Sequence, residues 1–347
     1  MVRLSFLHMF IAVFLLCAFG CGCNLDGMRS DDGSVMVMTY NVQNLFDQFV
    51  SGNEYPEFTP EGGWSADAYR IRLERTAQAI SQGHGRIPDV VLLQEVEHER
   101  VLQELVETHL AKWGFRWYAA TDERDSPVQL GMVSRYPIVE SVSHRVHGSR
   151  PILEGTVDLG NEYLTILNVH AKSRKGGIEE TEQQRMDTSR AIAARAKEVL
   201  AANPFRAVMV AGDFNESADA AIREEGFDHA LVPLDSPDCA RQSYGGSLPV
   251  TGAVPPQGAW YTWWLDRSMT LMAKSPGSYL YQGVWETYDQ LLLSPAFFDG
   301  YGIEFLNGMV GAHAPLTDDG GHPAAYDGRT GKGYSDHLPV SVILSGR

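Results

Sequence analysis

The chain of 347 residues is 44% hydrophobic and 21% charged, which supports a substantial core and argues against extensive disorder. Its formal net charge of −16 excludes a broad cationic surface for coating nucleic acid, because neutralising phosphates takes lysine and arginine. The 4 cysteines, Cys17, Cys21, Cys23 and Cys239, are spread too unevenly to build a disulfide framework.

Arg3 and His8 precede an acid-free apolar run over residues 10–19. This resembles a bacterial export signal, and it is shorter than the ~20 apolar residues that span a membrane. Ala18-Phe19-Gly20-Cys21 resembles a lipoprotein signal in which Cys21 becomes the lipidated N-terminus, with Cys23 as a rival. Residues 1–20 are therefore expected to be a signal peptide and 21–34 a tether. Residues 35–347 then form one domain, exported to the cell envelope and anchored to a membrane by acyl chains.

Residues 35–40 read as a buried strand. A helix is predicted over 67–82, with Tyr69, Leu73, Ala77 and Ile80 on one face. A second buried strand covers 89–93, followed by a helical pattern through Val101, Leu105, Val106 and Leu110. Strands are expected at 115–119, 130–134, 152–158 and 163–167. A long helix over 180–201 carries the stripe Ile192, Ala196, Val199 and Leu200, and the next core strand is 207–211. Residues 243–258 read as loop, and strands return at 279–284, 290–293 and 339–344. Mixed strands and helices make the class α/β or α+β. The helix-poor stretches suggest antiparallel pairings in two stacked sheets with helices outside.

Polar clusters lie at the ends of the apolar strands: Asn41, Gln94-Glu95, Asn168 with His170, Gly212-Asp213-Phe214-Asn215, and Ser335-Asp336-His337 before the last strand. Each has an ordinary reading, such as a helix cap at Glu95, a satisfied core histidine at His170, or turn formers at Asp213 and Asn215. Gathered at one pole they would build an acidic site that needs a cation. Oxygen donors with few thiols favour Mg²⁺ or Mn²⁺ over structural zinc. Lys172, Arg174 and Lys175 form the densest basic cluster and read as a cationic, Gly-containing loop suited to phosphate. Trp263, Trp264 and Trp285 read first as packing residues.

The segments Thr39-Tyr-Asn-Val-Gln-Asn-Leu-Phe-Asp47, Leu93-Gln-Glu-Val-Glu97, Asn168-Val-His-Ala-Lys-Ser-Arg174, Gly212-Asp-Phe-Asn-Glu216, Tyr288-Asp-Gln-Leu-Leu-Leu-Ser294 and Ser335-Asp-His-Leu-Pro339 resemble, in order, the motifs of the endonuclease/exonuclease/phosphatase superfamily, which has a pancreatic-deoxyribonuclease-like fold. Residues 57–62, 134–138 and 277–285 resemble its bacterial, often exported, nuclease-like branch. The resemblance implies a four-layer α/β/β/α sandwich and a Mg²⁺ or Mn²⁺ held by Glu95 with help from Asn41 and Asp336. It further implies Asp213 as the residue that activates water, Asn215 as its companion, an Asp289–His337 pair, and His170 and His337 gripping phosphoryl oxygens. His337 oriented by Asp289 is an alternative base.

The implied activity is divalent-metal-dependent phosphoester hydrolysis by in-line attack of water, with nucleic acid as the expected substrate and a monomer as the expected state. An inositol-phosphate phosphatase or sphingomyelinase-like phospholipase C, acting on a phosphorylated small molecule or lipid head group, is the first alternative. A non-catalytic surface binding lipoprotein is the second.

Overall fold

The computed structural model describes residues 33–346 apart from residue 225. The expected signal, the lipidation site Cys21, its rival Cys23 and most of the tether lie outside the described residues. No helix among the described residues is long and apolar enough to cross a membrane.

In chain order the first strands are β1 (Ser34–Leu45), β2 (Val90–Val96), β3 (Trp117–Ala120), β4 (Gln129–Ser134), β5 (Ile138–His144), β6 (Ile152–Asp158), β7 (Tyr163–His170) and β8 (Ala207–Asp213). They continue as β9 (Leu231–Pro233), β10 (Leu248–Thr251), β11 (Trp260–Tyr261), β12 (Tyr279–Tyr281), β13 (Val284–Glu286), β14 (Asp289–Leu293), β15 (Ile303–Val310) and β16 (Val340–Gly346). One sheet of 6 strands has the order β15-β16-β1-β2-β4-β3, and a second of 8 has β5-β6-β7-β8-β14-β11-β10-β9. Both are mixed: β1 with β2 and β7 with β8 are parallel, whereas β8 with β14 is antiparallel.

Strand β8 shows how the layers arise. Alternate residues face opposite sides of a strand. Met209 and Ala211 join the core shared with Val37, Leu92 and Met132 of the first sheet. Val208 and Val210 instead meet Ile192 and Ala196 of the helix α3 (Ile178–Ala202). On the far side, α1 (Ala66–Gln82) buries Tyr69, Leu73, Ala77 and Ile80, and its N-cap Ser65 accepts a hydrogen bond from the Ala68 N–H at 3.2 Å. The expected sandwich of two sheets flanked by helices is the observed fold.

Some elements differ from their predicted form. The helical pattern after β2 is α2 (Glu99–Leu105) followed by a π-turn at Val106–Leu110. The single strand expected at 279–284 is a hairpin, turned by Gln282 at φ 49° and Gly283 at φ 82°. The stretch 243–258 is not all loop, because it contains β10. Strands β5 and β15 are edge strands with mostly half-buried or exposed residues, so their hydrophobic pattern is weak.

Candidate active site

Asp213 ends β8, in register with His170 of β7 on one side and Asp289 of β14 on the other. These residues continue the inner face that is apolar at Ile166, Ala211 and Leu291, so that face turns from apolar to charged at one pole. Gly212 allows the turn: its φ is 137°, and a Cβ there would lie 2.0 Å from the Val169 carbonyl oxygen.

A polar layer separates this pole from the core. The Gln94 side chain donates to Thr39 Oγ1 at 3.1 Å and to Asn168 Oδ1 at 2.8 Å. Asn168 in turn donates to the carbonyls of Leu93 and Gly131 at 3.2 and 2.9 Å, tying the two sheets together. Asn168, one of the polar residues at the strand ends, thus has a bridging task.

Glu95 enters from the first sheet at a β-bulge between Gln94 and Val96, with φ 67°. A bulge re-aims one side chain, and a non-glycine residue at positive φ marks strain retained for a purpose. Gln43 (φ 49°) and Asn44 (φ 62°) curl the end of β1 so that the Asn44 N–H meets Glu95 Oε2 at 3.0 Å. The Asn41 amide donates to Glu95 Oε1 and to Asp213 Oδ2, each at 3.1 Å. Its own oxygen accepts from the Gln43 N–H at 2.9 Å. Asn41 therefore meets the carboxylates through its N–H groups, whereas a ligating role would use the oxygen. The Gln43 side-chain oxygen accepts the backbone N–H groups of Asp336 (3.0 Å) and Tyr326 (2.8 Å), which places the last motif.

The histidines are held in opposite states. His170 Nε2 lies 3.7 Å from Glu95 Oε1 and 3.5 Å from Asp213 Oδ2. Burial first, then the charges of Arg150 and His337, push its pKa well below the ordinary value. His337 Nδ1 donates to Asp289 Oδ2 at 2.8 Å, and its Nε2 is 3.9 Å from Asp213 Oδ2. Burial opposes its charge, but Asp289, Asp213 and Asp336 together hold the pKa well above the ordinary value. Burial raises Asp213 to about 7, although Asn215 donates its backbone N–H to Oδ1 (2.8 Å) and its amide to Oδ2 (3.1 Å). Burial and then Asp336 raise Glu95. Buried carboxylates that repel one another, with donors on only part of their lone pairs, fit a hard divalent cation.

The basic loop divides. Lys172 lines a cleft of about 650 Å³ with Arg150, Arg145 and His147. Lys175 lines another of about 700 Å³ with Asn215, Tyr279, Tyr281 and Tyr288. Arg174, expected to bind phosphate, also lines that second cleft, while it forks onto both oxygens of Glu224 at 2.8 Å and approaches Glu216 at 3.8 Å. Its charge is spent within the protein. Sequence reasoning passed over Gln43, Arg150 and the tyrosines. Arg150 donates to the Ala171 carbonyl at 3.0 Å and acts on the titration of both Glu95 and His170. Tyr279 stacks with Tyr281 (centroids 6.5 Å) and Tyr288 (5.3 Å) and lies 4.5 Å from the His337 ring. A Gln-Gly pair at a hairpin turn was the available signal for Tyr279 and Tyr281, whereas Arg150 carries none. Trp263 and Trp264 are buried and mutually stacked, as expected of packing residues.

The model of the endonuclease/exonuclease/phosphatase family matches residues 36–231. No curated protein matches. Among solved structures the chain is similar to TDP2 from C. elegans, at 17% identity over 96% of this chain and 82% of that one, with a TM-score of 0.52. It is similar to D. rerio TDP2 complexed with single-strand DNA product, at 16% identity over 90% and 99% of the two chains, TM-score 0.53. It also resembles an endonuclease/exonuclease/phosphatase from Bacteroides vulgatus, at 13% identity over 90% and 99%, TM-score 0.52. At these identities the structures speak for the fold, and the family model for membership. The chain belongs to the endonuclease/exonuclease/phosphatase family, whose members are metal-dependent phosphoester hydrolases.

Proposed function

We propose that this chain is an exported Mg²⁺- or Mn²⁺-dependent phosphodiesterase that cleaves nucleic acid. The observation that carries the reading is the convergence of Glu95, Asp213, His170 and the Asp289–His337 pair at one pole. Lys172 and Arg150 line one cleft, beside Glu123 and Asp125, and Asn215 with three tyrosines lines another. Stacked tyrosines suit bases, and Lys172 with Arg150 suits neighbouring phosphates. The DNA-product complex of the D. rerio neighbour supports the same substrate class.

Glu95 and Asp336, whose charge acts on Glu95, would hold the cation, which when bound would offset negative charge on the phosphoryl oxygens. Neutral His170 offers one N–H donor, and His337, kept protonated by Asp289, offers another from Nε2. Asp213, poised at about 7, takes the proton of the attacking water while Asn215 fixes its orientation. A histidine held well above its ordinary pKa is a poor base, which favours Asp213 for that step over His337.

Incubation of the purified chain with Mg²⁺ or Mn²⁺ and, separately, single-stranded DNA, duplex DNA, RNA, inositol phosphates and sphingomyelin tests the substrate class. Turnover of nucleic acid supports the reading. Turnover confined to inositol phosphates or sphingomyelin replaces it with the phosphatase or phospholipase alternative, and metal binding without turnover leaves a binding protein. Export and anchoring rest on the pattern of residues 1–23. Cys21→Ala should release the protein from membranes, and retention would contradict that anchor.

A further inference from the structure

Just beyond the catalytic pole, Asp47 follows β1 while Glu97 and His98 follow β2. The chain ends are coupled there, since the Glu97 N–H donates to the Leu45 carbonyl at 3.0 Å. One carboxylate oxygen from each acid and one His98 nitrogen lie within 4.8 Å of one another. His98 Nε2 is 3.2 Å from Asp47 Oδ2 and 3.7 Å from Glu97 Oε2. Donors at ~2.1 Å from a cation stand ~3.0 Å apart at an octahedral edge and ~3.4 Å apart at a tetrahedral one, so the two histidine spacings lie within, or a few tenths of an ångström beyond, the reach of donors around one ion.

An independent observation points to a missing partner. Glu97 is 7% exposed, and its Oε1 is buried without a hydrogen-bond donor among the described residues. Its other oxygen accepts the Asp47 N–H at 2.6 Å. Among the described residues His98 Nδ1 is also buried without a partner. A buried carboxylate oxygen left bare is destabilising, a cost a cation would remove. The adjoining cleft of about 500 Å³ adds Glu99 and Asp122 to the acids. Against them stands Arg100, 57% exposed, which caps Asp47 Oδ2 and lies 4.8 Å from the centroid of the Phe49 ring.

We propose that Asp47, Glu97 and His98 form a second cation site, separate from the catalytic one, which staples the ends of β1 and β2. An imidazole with two carboxylates and room for water selects Zn²⁺ or Mn²⁺ over Mg²⁺ or Ca²⁺. The staple would brace the curl that aims Asn44 and Glu95, so the site is structural. Arg100 is its competitor, occupying the Asp47 oxygen when the cation is absent.

The test uses the EDTA-treated full chain carrying Glu95→Gln, which disables the catalytic cation site, titrated with ZnCl₂ by calorimetry and followed by thermal melting. One equivalent should bind and raise the melting temperature. Adding His98→Ala, at a side chain 37% exposed and therefore compatible with folding, should weaken binding about tenfold or more. Adding Arg100→Ala should tighten it by freeing Asp47 Oδ2. Co²⁺ in place of Zn²⁺ should give visible absorption bands that His98→Ala abolishes. Absence of binding in the Glu95→Gln chain, or binding unchanged by His98→Ala, would overturn the proposal. Unchanged or weaker binding in Arg100→Ala would overturn the placement of the cation on Asp47.

Discussion

Replacing Asp289 with asparagine removes one charge and almost no volume from the base of the site. Asp289 is 0% and His337 6% exposed, and their hydrogen bond is 2.8 Å long. A hydrogen bond to a charged group is worth about 1.5–3 kcal/mol, and stranding its buried partner brings the loss to about 3–5 kcal/mol. At ~1.36 kcal/mol per decade, kcat/KM should fall about 10²–10⁴-fold. Burial pulls the His337 pKa down and Asp289 holds it up, so the variant should also lose activity at a lower pH on its alkaline limb. The linked stability has a definite sign. A histidine with a raised folded pKa contributes stability fully below its ordinary value of 6.5, and that contribution is lost as pH rises through the folded value. The melting-temperature gap between wild type and Asp289→Asn should therefore be widest in acid and close in alkali. The assay is a kcat/KM profile over about pH 5–10 at saturating metal, paired with melting curves. An Asp289→Asn enzyme within threefold of wild type, with an unmoved alkaline limb, would refute the reasoning.

Glu95→Gln should abolish measurable turnover yet melt higher than wild type in EDTA, because it relieves burial of a carboxylate that Asp336 repels. A lower metal-free melting temperature would contradict that. Between the ordinary carboxylate value of 3.8 and about 7, folded Asp213 keeps a proton that the unfolded chain releases, so metal-free stability should decline as pH rises through this window. Asp213→Asn should flatten that decline, and melting curves with an unaltered slope would count against it. Lys172→Ala should weaken single-stranded DNA binding and reduce the salt slope by about 1, whereas Arg174→Ala should chiefly lower stability by baring Glu224 and Glu216. Equal losses of DNA affinity in both variants would show that Arg174 is free for substrate after all.

The layers of the fold were legible because its central strands are buried on both faces and read as unbroken apolar runs, as at Val208–Ala211 within β8. Edge strands β5 and β15 were not, since half-exposed strands blur the pattern. The site residues Glu95, His170, Asp213, Asp289 and His337 could be found because each adjoins such a strand within a motif. Their partners were harder. Whether Arg174 faces solvent or Glu224 depends on packing across fifty residues of chain, which a local charge count cannot register. Gln43 acts through its left-handed backbone and its reach to the Asp336 N–H, and neither is encoded in hydropathy. Arg150 leaves a loop with no motif and reaches the site only once β6 and β7 are paired.

In the proposed reaction this pole directs water onto the phosphorus of a nucleic-acid diester with a divalent cation bound. Its most direct test is cleavage of an end-labelled single-stranded oligonucleotide by the purified chain in H₂¹⁸O with Mg²⁺ or Mn²⁺, with products read by mass spectrometry. Strand scission should place one ¹⁸O on the product phosphate and should vanish in EDTA and in Glu95→Gln. An intact oligonucleotide under every metal condition, or scission undiminished in Glu95→Gln, would contradict it.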